Sequence, residues 1–206
     1  VKGALIARDD KGFRTIVDAN QHKAFCENVC PASGVQCSSF EKGEIWGKQK
    51  GVFLSYSIDK DVRHKASSGG VLTSIAMYLI DEQLVDGIIQ IKANKNEPIE
   101  TEIVCSMSRE EIVACMGSRY SASMPLETIS EYIGKGKKFA FIGKPCDVTA
   151  LRNYMKNKKD IQETFPYLLS FFCAGAPSKE ANIRLLEKLK CNEETCESLR
   201  YRGNGW

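Results

Sequence analysis

Histidine is nearly missing from this 206-residue chain: there are two, His22 and His64. Their spacing fits no metal-binding pair, so neither is given a role. Long apolar runs are missing too. A membrane-spanning helix needs roughly 20 apolar residues, and the most apolar stretch, Val71 to Ile80, is short and broken by Thr73 and Ser74. The opening Val-Lys-Gly-Ala-Leu-Ile-Ala-Arg has too short an apolar part for a secretion signal. Charge of one sign is scarce: the net charge is +3, too weak to argue for nucleic acid or an anionic membrane. Internal repeats and low-complexity tracts are absent. What is there is 43% hydrophobic and 27% charged, the balance of a globular protein with room for one good-sized domain and a small appendage. The first residue is Val1 and the last four are Gly203-Asn204-Gly205-Trp206, which reads as a piece of a longer sequence.

Cysteine, by contrast, is abundant. Cys26, Cys30, Cys37, Cys105, Cys115, Cys146, Cys173, Cys191 and Cys196 make an odd number. Without a secretion signal, that argues against a disulfide framework. In a reducing compartment such as the cytoplasm, some of these thiols are expected to bind metal and others to be buried as small apolar groups.

Hydropathy patterning divides the chain. Residues 1–37 are polar and irregular, with a short strand expected around Gly12 to Val17 and a tight loop from Cys26 to Cys37. Residues 38–50 read as a linker. From 51 onward strands and helices alternate. Strands are expected at Val52–Ile58, Ile88–Ile91, Ile103–Met107, Phe139–Ile142 and Tyr167–Phe172. Helices are expected after Gly70, after Ser108 (a capping box with Glu111), at Leu126–Ile133, at Asp147–Lys156 and at Ser178–Leu189. That alternation predicts an α/β fold with a mostly parallel sheet and flanking helices, preceded by a small irregular ferredoxin-like segment. Ligands in such folds sit beyond the carboxyl ends of the strands.

Four groups of residues carry candidate chemistry. Ser67-Ser68-Gly69-Gly70 precedes a helix; it is either a phosphate or flavin cradle or a serine cap with a glycine turn. Gly143-Lys144-Pro145-Cys146-Asp147 follows a strand. A thiol at a helix start beside a lysine is expected to have a lowered pKa, making Cys146 a nucleophile, a metal ligand or a half-buried bystander. Cys173, in Cys173-Ala174-Gly175, follows the next strand, and adjacent parallel strand ends would bring it toward Cys146. Cys191 and Cys196, in a charged segment, read as incidental. Cys26-Glu27-Asn28-Val29-Cys30-Pro31 matches only the tail of a bacterial ferredoxin run, either intact or degenerate; His22 stands where an earlier cysteine would fall, and Cys37 is a substitute of unusual spacing. Trp46 and Trp206 are read as packing residues.

Taken in order, Arg63, Ala66-Ser67-Ser68-Gly69-Gly70-Val71, Val85-Asp86-Gly87, Gly117-Ser118-Arg119-Tyr120, Ile142 to Asp147, Phe172-Cys173-Ala174-Gly175 and Tyr201 to Trp206 resemble the coenzyme F420 hydrogenase/dehydrogenase beta-subunit family. The resemblance runs from about residue 51 to the end, with residues 1–37 similar to the trimmed end of a preceding ferredoxin module. It implies FAD, held in part by Ser67, Ser68, Gly69, Gly70, Gly143 and Lys144, and a 4Fe-4S cluster with Cys146 and Cys173 as ligands and Cys26 and Cys30 as further metal candidates. Remaining ligands would lie past Trp206. Electrons would pass between the cluster and a small-molecule carrier such as coenzyme F420, with a redox partner protein or subunit. Other expectations remain open: a non-catalytic electron relay, a cysteine-dependent enzyme built on Cys146, or a degenerate accessory module. No catalytic acid or base is named, since hydride transfer to a flavin requires none.

Overall fold

In the computed structural model, residues 5–18, 23–35 and 49–202 are described. Four strands make the central sheet: β3 (Gly87–Ala93), β4 (Thr101–Ser106), β5 (Phe139–Gly143) and β6 (Tyr167–Ser170), in the order β4-β3-β5-β6; β1 (Leu5–Arg8) and β2 (Arg14–Asp18) form a separate hairpin. β3 pairs antiparallel with β4 and parallel with β5, and β5 pairs parallel with β6. The sheet is therefore mixed and mostly parallel, as expected.

Strand alternation decides which helices cover which face. Ile88, Ala140, Ile142 and Leu169 point to one side. There they meet α2 (Lys60–Lys65), α3 (Val71–Asp81) and α4 (Arg109–Ala114) through Val62, Ala76, Met77, Leu79 and Ile112. Ile89, Phe139, Phe141 and Leu168 point to the other side, against α5 (Pro145–Met155) and α6 (Lys159–Thr164). Phe141 and Phe165 are fully buried there, each worth about 1.5–3 kcal/mol by transfer from water. A third cluster joins α7 (Lys179–Lys188) to the segment after it through Leu186, Cys196 and Leu199, with Ile99.

Local signals explain the helix starts. Asp59 accepts the amides of Asp61 and Val62 at the start of α2, Ser108 accepts that of Glu111 in α4, and Ser178 accepts that of Ala181 in α7. Glu111 answers by accepting the amide of Met107, one residue before the cap (2.6 Å).

Four expectations change. Val52–Ile58 has no regular structure and joins no strand: Phe53, Leu54 and Ile58 are almost wholly exposed. Its anchor is Ser57, whose amide donates to the Gly69 carbonyl (2.7 Å) and whose hydroxyl accepts from Ser74 (2.8 Å). Leu126–Ile133 forms turns with a 3-10 turn at Ile129–Glu131, because Gly134 and Gly136 follow at once and Pro125 precedes. Cys26 lies inside a helix, α1 (Lys23–Val29), not a loop; Cys37 and most of the 38–50 linker fall outside the described residues. α6 was not anticipated.

The amino-terminal part packs on the sheet domain in two places. Phe25 stacks edge-on against Tyr154 of α5 (5.8 Å between centroids), and Asn153 donates to the Val29 carbonyl (3.1 Å). The hairpin turn touches the start of α7: a side chain on Gly12 would lie 3.2 Å from the Glu180 amide nitrogen. Arg8 pairs with the buried Glu100 at 2.7 Å.

Candidate functional site

The carboxyl ends of β5 and β6 lie side by side, with Gly143 opposite Ser170 in the ladder. Cys146 and Cys173 each stand three residues beyond that matched pair, so the two thiols leave the same sheet edge at the same offset. Both residues are exposed, although the Cys146 sulfur is partly covered. The expected low pKa of Cys146 is not found. Partial burial of the sulfur and the neighbouring Asp147 carboxylate push this thiol up, and Lys144 only partly offsets them.

Lys144 is not a free charge. Its ammonium lies 2.8 Å from Asp147 Oδ2, donates to Ser123 Oγ at 2.6 Å and reaches the Ser123 carbonyl at 3.3 Å. Three acceptors meet its three donors. Asp147 Oδ2 also accepts the Lys144 amide (3.0 Å), closing the first turn of α5 on itself. Lys144 thus ties the 121–125 segment to the β5–α5 turn. Gly143 is there for space: a Cβ would come within 2.6 Å of Phe141 Cε1 and 3.0 Å of Asp147 Cβ.

The Ser67–Gly70 loop is wound left-handed. Ser68, Gly69 and Gly70 all have positive φ (52°, 69° and 74°). Gly70 is held against α2, where a Cβ would lie 2.9 Å from Val62 Cγ1. Packing therefore accounts for this glycine. No side chain caps α3, which leaves its leading amide donors for a ligand or water. Ser118 Oγ donates to Ser67 Oγ (2.8 Å), bringing the Gly117–Tyr120 segment to the loop.

Arg119 follows Ser118, and its sequence motif alone assigns it no role. Its Nε is buried and has no hydrogen-bond partner among the described residues. Nη1 donates to the Ser118 carbonyl (3.2 Å). Burial and the neighbouring Arg200 push its pKa down.

Cys26 and Cys30 occupy α1 and the residue just past it, with the Cys30 amide donating to the Cys26 carbonyl (2.8 Å). They sit near Asn153, seven residues and about 10 Å along α5 from Cys146. Among the described residues no three histidine, cysteine, aspartate or glutamate side chains converge on a metal position. A 4Fe-4S cubane needs four ligands, so the described residues do not complete one. No helix among them is long and apolar enough to cross a membrane.

Comparisons with known proteins agree with this geometry. Residues 52–130 match the amino-terminal family profile of the coenzyme F420 hydrogenase/dehydrogenase beta subunit, and residues 136–206 match the carboxy-terminal profile of the same family. The coenzyme F420 hydrogenase subunit beta of Methanosarcina barkeri is 28% identical over 132 residues, covering 62% of this chain and 45% of its own. The F420-dependent formate dehydrogenase subunit beta of Methanocaldococcus jannaschii is 30% identical over 138 residues, covering 65% and 35%. A chain in the F420-reducing NiFe hydrogenase complex from Methanosarcina barkeri superposes with a TM-score of 0.59 at 26% identity, over 64% of this chain and 47% of that one. The present chain thus spans less than half the length of these relatives.

Proposed function

The chain belongs to the coenzyme F420 hydrogenase/dehydrogenase beta-subunit family, and from that premise we propose that it is the flavin-binding core of a cytoplasmic oxidoreductase. In this reading it binds FAD and passes electrons between a 4Fe-4S cluster and a small-molecule carrier such as coenzyme F420, in company with a redox partner protein or subunit. The observation that supports the reading is the pair of neighbouring parallel strand ends: β5 and β6 end in register, and the segments that follow them carry Lys144 and Cys146 on one side and Cys173 on the other. The site lies where α/β folds bind ligands.

Bound flavin supplies hydride acceptance and single-electron release. The chain's own residues bind and orient. The left-handed turn Ser68-Gly69-Gly70 leads into the uncapped start of α3, and amide donors at a helix start suit an anionic group. The Lys144–Asp147–Ser123 linkage holds the rim in place. Cys146 and Cys173 offer two thiols; a cluster would draw its other ligands from outside this edge.

One feature favours a second reading, an electron-relay or accessory module that works only with its partner subunit. Phe53, Leu54, Ile58 and Phe172 expose large apolar side chains almost completely, which is unusual for a surface that stays bare.

The test is an absorption spectrum of anaerobically purified full-length protein, with flavin and iron assays on the same sample. Flavin bands and a broad iron–sulfur shoulder are expected. A sample that remains colourless after reconstitution would remove the cofactor reading. Bleaching of bound flavin by a soluble donor without any partner would exclude the relay reading.

A further inference from the structure

Arg119 is a cation without a counter-ion among the described residues. A buried guanidinium nitrogen normally has a partner, and the cost of leaving one unmade is large. Here Nε is buried and unpartnered among the described residues. The hydrogen bond its guanidinium does make is to the adjacent Ser118 carbonyl. The formal charge nearest in effect is another arginine, Arg200. Two lysines, by contrast, are answered: Lys144 by Asp147, and Lys92 by Glu102 at 3.1 Å. A guanidinium with an orphaned donor, and with another arginine opposing its charge, lowers its energy most by taking an anion, and its planar shape matches phosphate oxygens.

A second observation sets the position. Ser118 donates to Ser67. A hydroxyl has one proton and two acceptor sites, so Ser67 keeps its own proton to donate onward. Arg119 is thereby joined in sequence and by hydrogen bond to the Ser68–Gly70 turn. Its backbone is turned into place by Gly117, whose φ is 97°.

We propose that Arg119, with Arg200 beside it and Ser67 at the adjoining loop, forms a phosphate-binding subsite. Resting on the FAD reading, this subsite takes the pyrophosphate of the flavin dinucleotide, so Arg119, and not the neutralised Lys144, supplies the positive charge for the cofactor. The alternative source of the same chemistry is a separate phosphorylated small molecule.

The experiment uses the full chain stripped of flavin, as wild type, Arg119→Gln and Arg119→Lys, with Arg109→Gln as a surface-charge control. Arg109 pairs with Asp81 elsewhere on the surface. Thermal midpoints are read with inorganic pyrophosphate and with ADP. Binding of FAD and of riboflavin, which has no phosphate, is followed by flavin fluorescence. Pyrophosphate and ADP should raise the wild-type and Arg109→Gln midpoints. Arg119→Gln should lose that rise and bind FAD about tenfold or more weakly, with riboflavin affinity unchanged; Arg119→Lys should fall between. Loss of the pyrophosphate effect with FAD affinity intact would keep the subsite and assign it to a separate phosphorylated molecule. Protection by pyrophosphate in a wild type that binds no flavin would keep the subsite and discard the FAD reading. Equal responses of wild type and Arg119→Gln to pyrophosphate, ADP and FAD would overturn the proposal. If Arg119→Gln fails to fold, Arg119→Lys and Arg200→Gln carry the same comparison.

Discussion

At Gly143 the strand-to-helix turn leaves no room for a methyl group, since a Cβ would meet the Phe141 ring and the Asp147 Cβ. Gly143→Ala is expected to cost about 1–3 kcal/mol through overpacking, read as a lowered urea midpoint with an unchanged slope. The sequence allowed a ligand-facing reading of this glycine because tight turns and close ligand approach both select glycine. Lys144 shows a similar limit. Its partner Asp147 stands three residues on, but Ser123 is 21 residues away and only the fold brings it to the ammonium. The local rule that a helix start and a lysine lower a thiol pKa failed for Cys146, because the same turn also carries Asp147 and withdraws the sulfur from water. Arg119, the residue of the proposed phosphate subsite, was not among the sequence candidates. The signal is the lack of an acidic partner, and that exists only once burial and neighbours are known.

Elements were most legible where burial imposes a period. α3 and the alternating Ile88–Ile89 and Ala140–Phe141 pairs of β3 and β5 sit as their apolar spacing requires. The β-like alternation of Val52–Ile58 misled because a strand needs a partner, and the described residues supply none. This segment is apolar, irregular and largely open to solvent, which is what a protease requires of its substrate. Chymotrypsin at low dose is expected to cut after Phe53 or Leu54 before it reaches the equally aromatic but buried Phe141 and Phe165. Mass spectrometry of the early fragments checks this; early cleavage after Phe141 or Phe165 would contradict the packing described. The nicked amino-terminal piece should stay associated under native conditions, because α1 remains seated on α5.

For the whole molecule, the α/β class and the mostly parallel sheet were readable from the order of strands and helices. The attachment of the amino-terminal hairpin was not, because Arg8 meets Glu100 across 92 residues of sequence and Gly12 sits against the start of α7. Stability should fall on the alkaline side. Burial, offset in part by Arg119, pushes the Tyr201 phenol from the ordinary value of 10 to about 12. The folded state thus holds this proton more tightly than the unfolded chain. The contribution is fully present below about pH 10 and is lost as the pH rises toward 12. Tyr201→Phe, which also gives up the 2.6 Å hydrogen bond to Asn182, should be less stable at neutral pH and show a flatter alkaline limb; an unchanged limb in urea melts from pH 9 to 12 would contradict the assignment. The two family profiles meet between residues 130 and 136, yet β3 from the first half is hydrogen-bonded to β5 from the second, with Ile88 beside Ala140 and Ile89 beside Phe141. The halves are therefore not interchangeable cassettes. A gene crossover at that point must preserve one continuous sheet, so hybrids between distant relatives should fail unless the facing residues of β3 and β5 are exchanged together.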